Sequence, residues 1–135
     1  MKAVLILGSS SDEAHAQKIT EKLDSYGIPN DTHVASAHKQ PKKLMEILQS
    51  YETEKSLVYV TIAGRSNALS GFVAANASFP TLACPPFRDR VDMMVNIQST
   101  LQMPSETPVL TILDPGNCAL AVKRILSLAA EDTEN

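Results

Sequence analysis

Five short apolar runs, each followed by a helix-like segment, constrain this chain more than any other feature. The runs are residues 3–7, 32–35, 57–62, 81–84 and 109–113. Most are near-continuous rather than alternating. That is the pattern of strands covered on both faces, as in a parallel sheet. The second run is the weakest, because Thr32 and His33 dilute it.

The intervening segments carry helix signals. Residues 11–26 place Ala16, Ile19 and Leu23 at helical spacing, and Gly27 is a stop signal. Pro41 opens a second helix with Leu44, Ile47 and Leu48 as its apolar stripe. Residues 69–76 form a short, small-residue helix. Residues 88–101 carry Val91, Met94, Val95 and Ile97 as apolar positions, and residues 117–129 follow the breaker Pro115-Gly116. The polar tail, residues 131–135, is expected to fray. Strand–helix alternation throughout predicts a three-layer α/β/α flavodoxin-like domain with a parallel sheet of about five strands and right-handed crossovers.

The length of 135 residues fits a single domain, 1–135. No Trp is present and aromatics are 4%, so Leu, Ile, Val, Ala and Met must build the core. The formal net charge is −3 and no basic stripe occurs, which argues against a nucleic-acid partner. No run approaches the roughly 20 apolar residues of a membrane helix. Residues 3–7 are also too short for a signal-peptide core. Cys84 and Cys118 have neither metal-ligand nor redox-motif spacing and read as small buried hydrophobes. Such cysteine usage suits a reducing, cytoplasmic setting.

In an open α/β sheet, ligands bind beyond the carboxyl ends of the strands, where the strand order reverses. That rule selects three loops: Gly8-Ser9-Ser10-Ser11-Asp12, Ser36-Ala37-His38-Lys39-Gln40-Pro41 and Ala63-Gly64-Arg65-Ser66-Asn67. A strand order of 2-1-3 would bring them to one crevice. In the first loop, hydroxyls and first-turn amides suit a phosphate or ribose. Equally, Ser10 or Ser11 serves as a plain helix cap, with Asp12 favouring the helix dipole. One glycine falls far short of a nucleotide-binding fingerprint.

His38 stands at a strand end, where a neutral imidazole can pass a proton near physiological pH. A lone histidine is more often structural, and His15 and His33, within a helix and a strand, are read that way. Lys39 suits an anion, and Ser36 a turn or a phosphate. In the third loop, Gly64 permits close backbone approach and Arg65 offers a fork for a carboxylate, or else pairs with a surface carboxylate.

These motifs, in register from about Leu5 to Leu128, resemble the aminoimidazole ribonucleotide carboxylase family, which also includes the carboxyaminoimidazole ribonucleotide mutases. Gly8-Ser9-x-Ser11-Asp12 is similar to its first substrate loop and Ser36-Ala37-His38-Lys39 to its catalytic loop. Ala63-Gly64 with Leu69-x-Gly71 is similar to its third loop, and Gln102-Met103-Pro104 and Pro108-Val109-x-Thr111 to its late segments. Lys39 and the short Ala63-Gly64-Arg65-Ser66-Asn67 loop, with Cys84-Pro85-Pro86, look like the class II direct carboxylases rather than the class I mutases.

The resemblance implies carboxylation of aminoimidazole ribonucleotide by carbon dioxide in purine biosynthesis, without ATP, metal, biotin or any other cofactor. It implies His38 as the proton-transfer group. It places Ser9, Ser11 and Asp12 on the ribose phosphate, Ser36 and Lys39 on phosphate or reactant, and Gly64, Arg65 and Ser66 around the carbon dioxide. It further implies a homo-oligomer, an octamer. Two other readings are a mutase of the same family and a non-catalytic flavodoxin-like nucleotide-binding module.

Overall fold

The protein is described here as a computed structural model covering residues 1–131. The tail expected to fray lies, beyond Glu131, outside the described residues. Five parallel strands run in the order β2-β1-β3-β4-β5. They are β1 (Lys2–Leu7), β2 (Asn30–Val34), β3 (Leu57–Ile62), β4 (Thr81–Ala83) and β5 (Leu110–Thr111). The helices α1 (Glu13–Ser25), α2 (Pro41–Ser50), α3 (Leu69–Asn76), α4 (Arg90–Leu101) and α5 (Pro115–Glu131) connect and follow them. A single 3₁₀ turn, Ser10–Asp12, precedes α1. The result is the flavodoxin-like α/β architecture.

The near-continuous runs lie where burial is two-sided. Residues 3–7 of β1 and all six of β3 are buried, in the middle of the sheet. Alternate side chains feed opposite cores, as the two-residue period of a strand requires. Ala3, Leu5 and Leu7 join Val58, Val60 and Ile62 against Ile19 and Leu23 of α1 and Val122 and Leu126 of α5. Val4, Ile6 and Tyr59 turn the other way, onto Leu44 and Leu48 of α2 and Val73 of α3. Burying one such Leu or Ile contributes roughly 1.5–3 kcal/mol.

The diluted second run is an edge strand, paired only with β1. Its His33 is tied sideways: Nε2 lies 2.7 Å from the Tyr51 hydroxyl, which donates to Asp31 at 2.8 Å. Asp31 also takes Lys2 at 3.1 Å. The phenol and the ammonium hold the Asp31 carboxyl below its usual range, while burial and the neighbouring carboxylate push the Tyr51 phenol above its own.

Three expectations need correction. Pro115-Gly116 is not a breaker ahead of α5 but its first turn. Proline is tolerated at that position, and Asp114 Oδ2 accepts the Asn117 N–H at 2.8 Å. Strand β5 is only two residues long, and Leu110 is largely exposed at the sheet edge. Helix α4 is turned the other way from its apolar pattern. Val91, Met94 and Val95 face outward, while Asp92, Asn96 and Thr100 are its buried residues.

Candidate active site

The strand order β2-β1-β3 puts three carboxyl-end loops side by side. After β1, Gly8 turns the chain away while its N–H still bonds Ile62 O at 2.9 Å. A Cβ at Gly8 would come within 3.2 Å of the Ala63 Cβ, so glycine lets the first and third loops touch. Ser9 then caps the 3₁₀ turn, its Oγ accepting the Ser11 N–H at 3.2 Å and the Ser11 hydroxyl at 3.0 Å. The second loop is tied by Gln40 N–H to Ser36 O at 2.8 Å, and Ser36 Oγ accepts the Lys39 N–H at 3.2 Å. In the third loop, Ser66 is held at φ +52°, which costs a non-glycine residue on the order of 1 kcal/mol.

These loops enclose one pocket of about 160 Å³. The first supplies Gly8, Ser9 and Asp12, the second Ser36, Ala37 and His38, and the third residues 63–69, including Gly64, Arg65 and Ser66. Two residues of the expected set stand outside its wall. Ser11 spends its hydroxyl on Ser9, and Lys39 is exposed beside the pocket. His38 lines the pocket and is exposed to solvent. Burial pushes the Asp12 carboxyl above its usual range, against a backbone hydrogen bond from Ser9 and the charge of His15. A hollow of about 460 Å³ lies elsewhere, along residues 100–111, but Glu106 is its sole titratable side chain.

A second layer lies under the third loop. Ser99 Oγ of α4 accepts the Asn67 N–H at 3.0 Å. Asn67 Oδ1 accepts the Ser70 N–H at 3.2 Å, at the start of α3. Asn96 Nδ2 donates to Pro86 O at 2.7 Å, and Asp92 meets Arg65 Nη2 at 3.4 Å. The sequence pattern placed Asn67 in the third loop without a role of its own and did not single out Asp92, Asn96 or Ser99. The one signal available was a polar i, i+4, i+8 ladder at 92, 96 and 100, set beside the apolar Val91, Met94, Val95 and Ile97.

The cysteines are both fully buried. The fold also gives Cys84 polar neighbours: its Sγ lies 3.6 Å from His15 Nε2 and donates to Leu113 O at 3.7 Å. Hydrogen bonding with Cys118, then His15, pulls the Cys84 thiol below its usual range, and the same pairing drives Cys118 up.

A flavodoxin-like sheet with a histidine-bearing polar pocket at its strand-order reversal defines an α/β protein built to bind a small molecule. The relatives make this specific. A family profile described as AIR carboxylase matches residues 2–135. A phosphoribosylaminoimidazole carboxylase of Archaeoglobus fulgidus is 48% identical over 131 residues, which are 97% of this chain and 72% of that protein. One from Treponema denticola is 43% identical over 126 residues, covering 93% and 79% respectively. The crystal structure of Treponema denticola PurE superposes with a TM-score of 0.86 at 39% identity, covering 98% of this chain and 86% of that one. This chain belongs to the AIR carboxylase family. Among the described residues, no helix is long and apolar enough to cross a membrane.

Proposed function

We propose that this chain, acting as one domain over residues 1–135, carboxylates aminoimidazole ribonucleotide directly with carbon dioxide to give carboxyaminoimidazole ribonucleotide in purine biosynthesis. The observation that carries this reading is the convergence of the three strand-end loops around His38 in one pocket. The chemistry needs little else. The aminoimidazole ring is an enamine, so a ring carbon can attack carbon dioxide without ATP, biotin or another cofactor. The adduct keeps a hydrogen on that carbon, and its removal restores aromaticity. His38, lining the pocket, takes that proton as general base and returns it in the reverse reaction.

Ser9, Asp12 and Ser36 hold the ribose phosphate part, with Ser11 bracing Ser9. Phosphate contacts fix the ring against a gas-sized partner, for which orientation is the larger share of the problem. Gly64, Arg65 and Ser66 surround the one-carbon group and stabilise the forming carboxylate. Lys39, beside the pocket, adds positive charge for the anionic reactants rather than a wall contact.

The protein works as a homo-octamer in the cytoplasm. Support for assembly comes from α4, whose Val91, Met94, Val95 and Leu101 are exposed at 73%, 53%, 46% and 60%. Apolar area of that kind on one helix is the mark of a covered face.

The test is turnover of aminoimidazole ribonucleotide with bicarbonate, with and without carbonic anhydrase, in wild type and His38→Asn. Wild type converts it, faster when carbon dioxide equilibrates quickly. His38→Asn binds the nucleotide but loses turnover by about 10²-fold or more, the range of general acid–base catalysis. Near-normal turnover in that variant defeats the role of His38. Efficient use of the preformed carbamate nucleotide, with indifference to carbon dioxide, makes the enzyme a mutase instead.

A further inference from the structure

Helix α4 begins with a capping arrangement that departs from the usual one. Asp89 is the N-cap and accepts the Asp92 N–H at 2.9 Å. In a reciprocal capping box, the acidic residue three positions on returns its carboxylate to the N-cap's own N–H. Asp92 does not do this. Its Oδ2 reaches one residue further and accepts the Arg88 N–H at 3.0 Å. Its Oδ1 crosses to the third loop and meets Arg65 Nη2 at 3.4 Å. The Asp92 side chain is 11% exposed, whereas the Arg65 side chain is 64% exposed and lines the pocket.

A buried carboxylate is costly unless it is paired. A pairing made only for the helix end would not need Arg65, because Asp89 and the Arg88 N–H already complete that end. The contact makes more difference at the other partner. An arginine on a loop has several rotatable bonds and loses entropy when it is ordered. A fixed, buried anion behind it removes part of that cost before any ligand arrives. The backbone N–H of Arg88 holds the Asp92 carboxyl below the usual range, helped by the Arg88 and Arg65 charges, so it stays ionised at neutral pH.

We infer that Asp92 is the positioning residue for Arg65, orienting the guanidinium at the pocket wall for the one-carbon group. This rests on the carboxylase reading above. Asp92 touches no reacting atom; it acts through Arg65. Ser99 performs the companion task for the backbone, holding the Asn67 N–H two residues on. The third loop is thus held to α4 at its side chain and at its main chain.

The experiment is steady-state kinetics of the full chain with aminoimidazole ribonucleotide and bicarbonate, carbonic anhydrase present. The variants are Asp92→Asn, Asp92→Glu, Arg65→Ala and the double variant Asp92→Asn/Arg65→Ala. Asn keeps an oxygen for the Arg88 N–H and loses only the charge on Arg65. Asp92→Asn should raise the KM for carbon dioxide about tenfold, equivalent to about 1.4 kcal/mol. Its nucleotide KM should stay within about twofold, and its melting curve should stay near wild type. Asp92→Glu should recover part of the loss. The double variant should be no worse than Arg65→Ala alone, because the two residues act as one unit.

Additive losses in the double variant, or equal damage to both KM values with a lowered melting temperature, overturn the positioning role and leave Asp92 as a helix-end residue. An active wild type with an unchanged carbon dioxide KM in Asp92→Asn overturns it as well. A wild type that does not carboxylate the nucleotide overturns the functional reading itself, and the role given to Arg65 with it.

Discussion

Helices α4 and α5 carry the same ladder turned to opposite purposes. In α5, Cys118, Val122 and Leu126 stand at i, i+4 and i+8 and face the sheet, where they join the core behind β1 and β3. In α4, the same spacing at Asp92, Asn96 and Thr100 faces inward, and those are that helix's buried residues. Its Val91, Met94, Val95 and Leu101 look outward. A helix stripe thus reports that a face is covered, not what covers it. Helix α5 gives its inward face to stability. Helix α4 gives its own to holding a loop, and what it forgoes in core burial it recovers only if its outer face meets another surface.

The largest expected effect lies on the α5 side. Leu126→Ala removes a nearly fully buried side chain from a packed core and should cost about 2–5 kcal/mol in urea unfolding. Activity per folded molecule should be unchanged at low temperature. Lost activity in a fully folded sample would break the contrast, because α5 would then be serving the site.

Ser99→Ala on α4 comes next. It leaves the Asn67 N–H without its acceptor, a cost of about 1–3 kcal/mol. Here turnover should fall as well, since the third loop loses its main-chain tether. Unchanged turnover would mean that the polar face of α4 is only structural.

The smallest effect within the chain should come from Val95→Ser, on the exposed face of α4. Its intrinsic stability cost should stay within about 0.5 kcal/mol, as for other surface changes. Its effect should appear instead in light scattering, as a lower average mass at low protein concentration. An unaltered mass would sharpen the comparison by removing this face from the assembly.

Much of the fold is legible along the chain. Residues 3–7 and 57–62 are uninterrupted apolar runs because β1 and β3 are covered on both sides. Thr32 and His33 are tolerated in β2 because, among the described residues, its outer edge has no strand beside it. Gly27, at φ +70°, ends α1 in a conformation that glycine adopts without strain. The loops around Ser9, Ser36 and Gly64 follow from the strand-end rule once the strands are placed. What adjacency could not convey is direction. Ser11 and Lys39 sit in those loops, yet Ser11 turns onto Ser9 and Lys39 lies outside the pocket wall.

The alternation of strands and helices, the parallel sheet and the three loops at its carboxyl edge are written in the order of residues along the chain. These follow from local periodicity and from turn chemistry, both of which act over a few residues. Which way α4 faces, and that Asp92 and Ser99 stand behind Arg65 and Asn67, emerge only when the chain is folded. Those pairs lie 27 and 32 residues apart. Their meeting depends on how a helix is set down beside the sheet, a choice made by packing and not by any neighbouring residue.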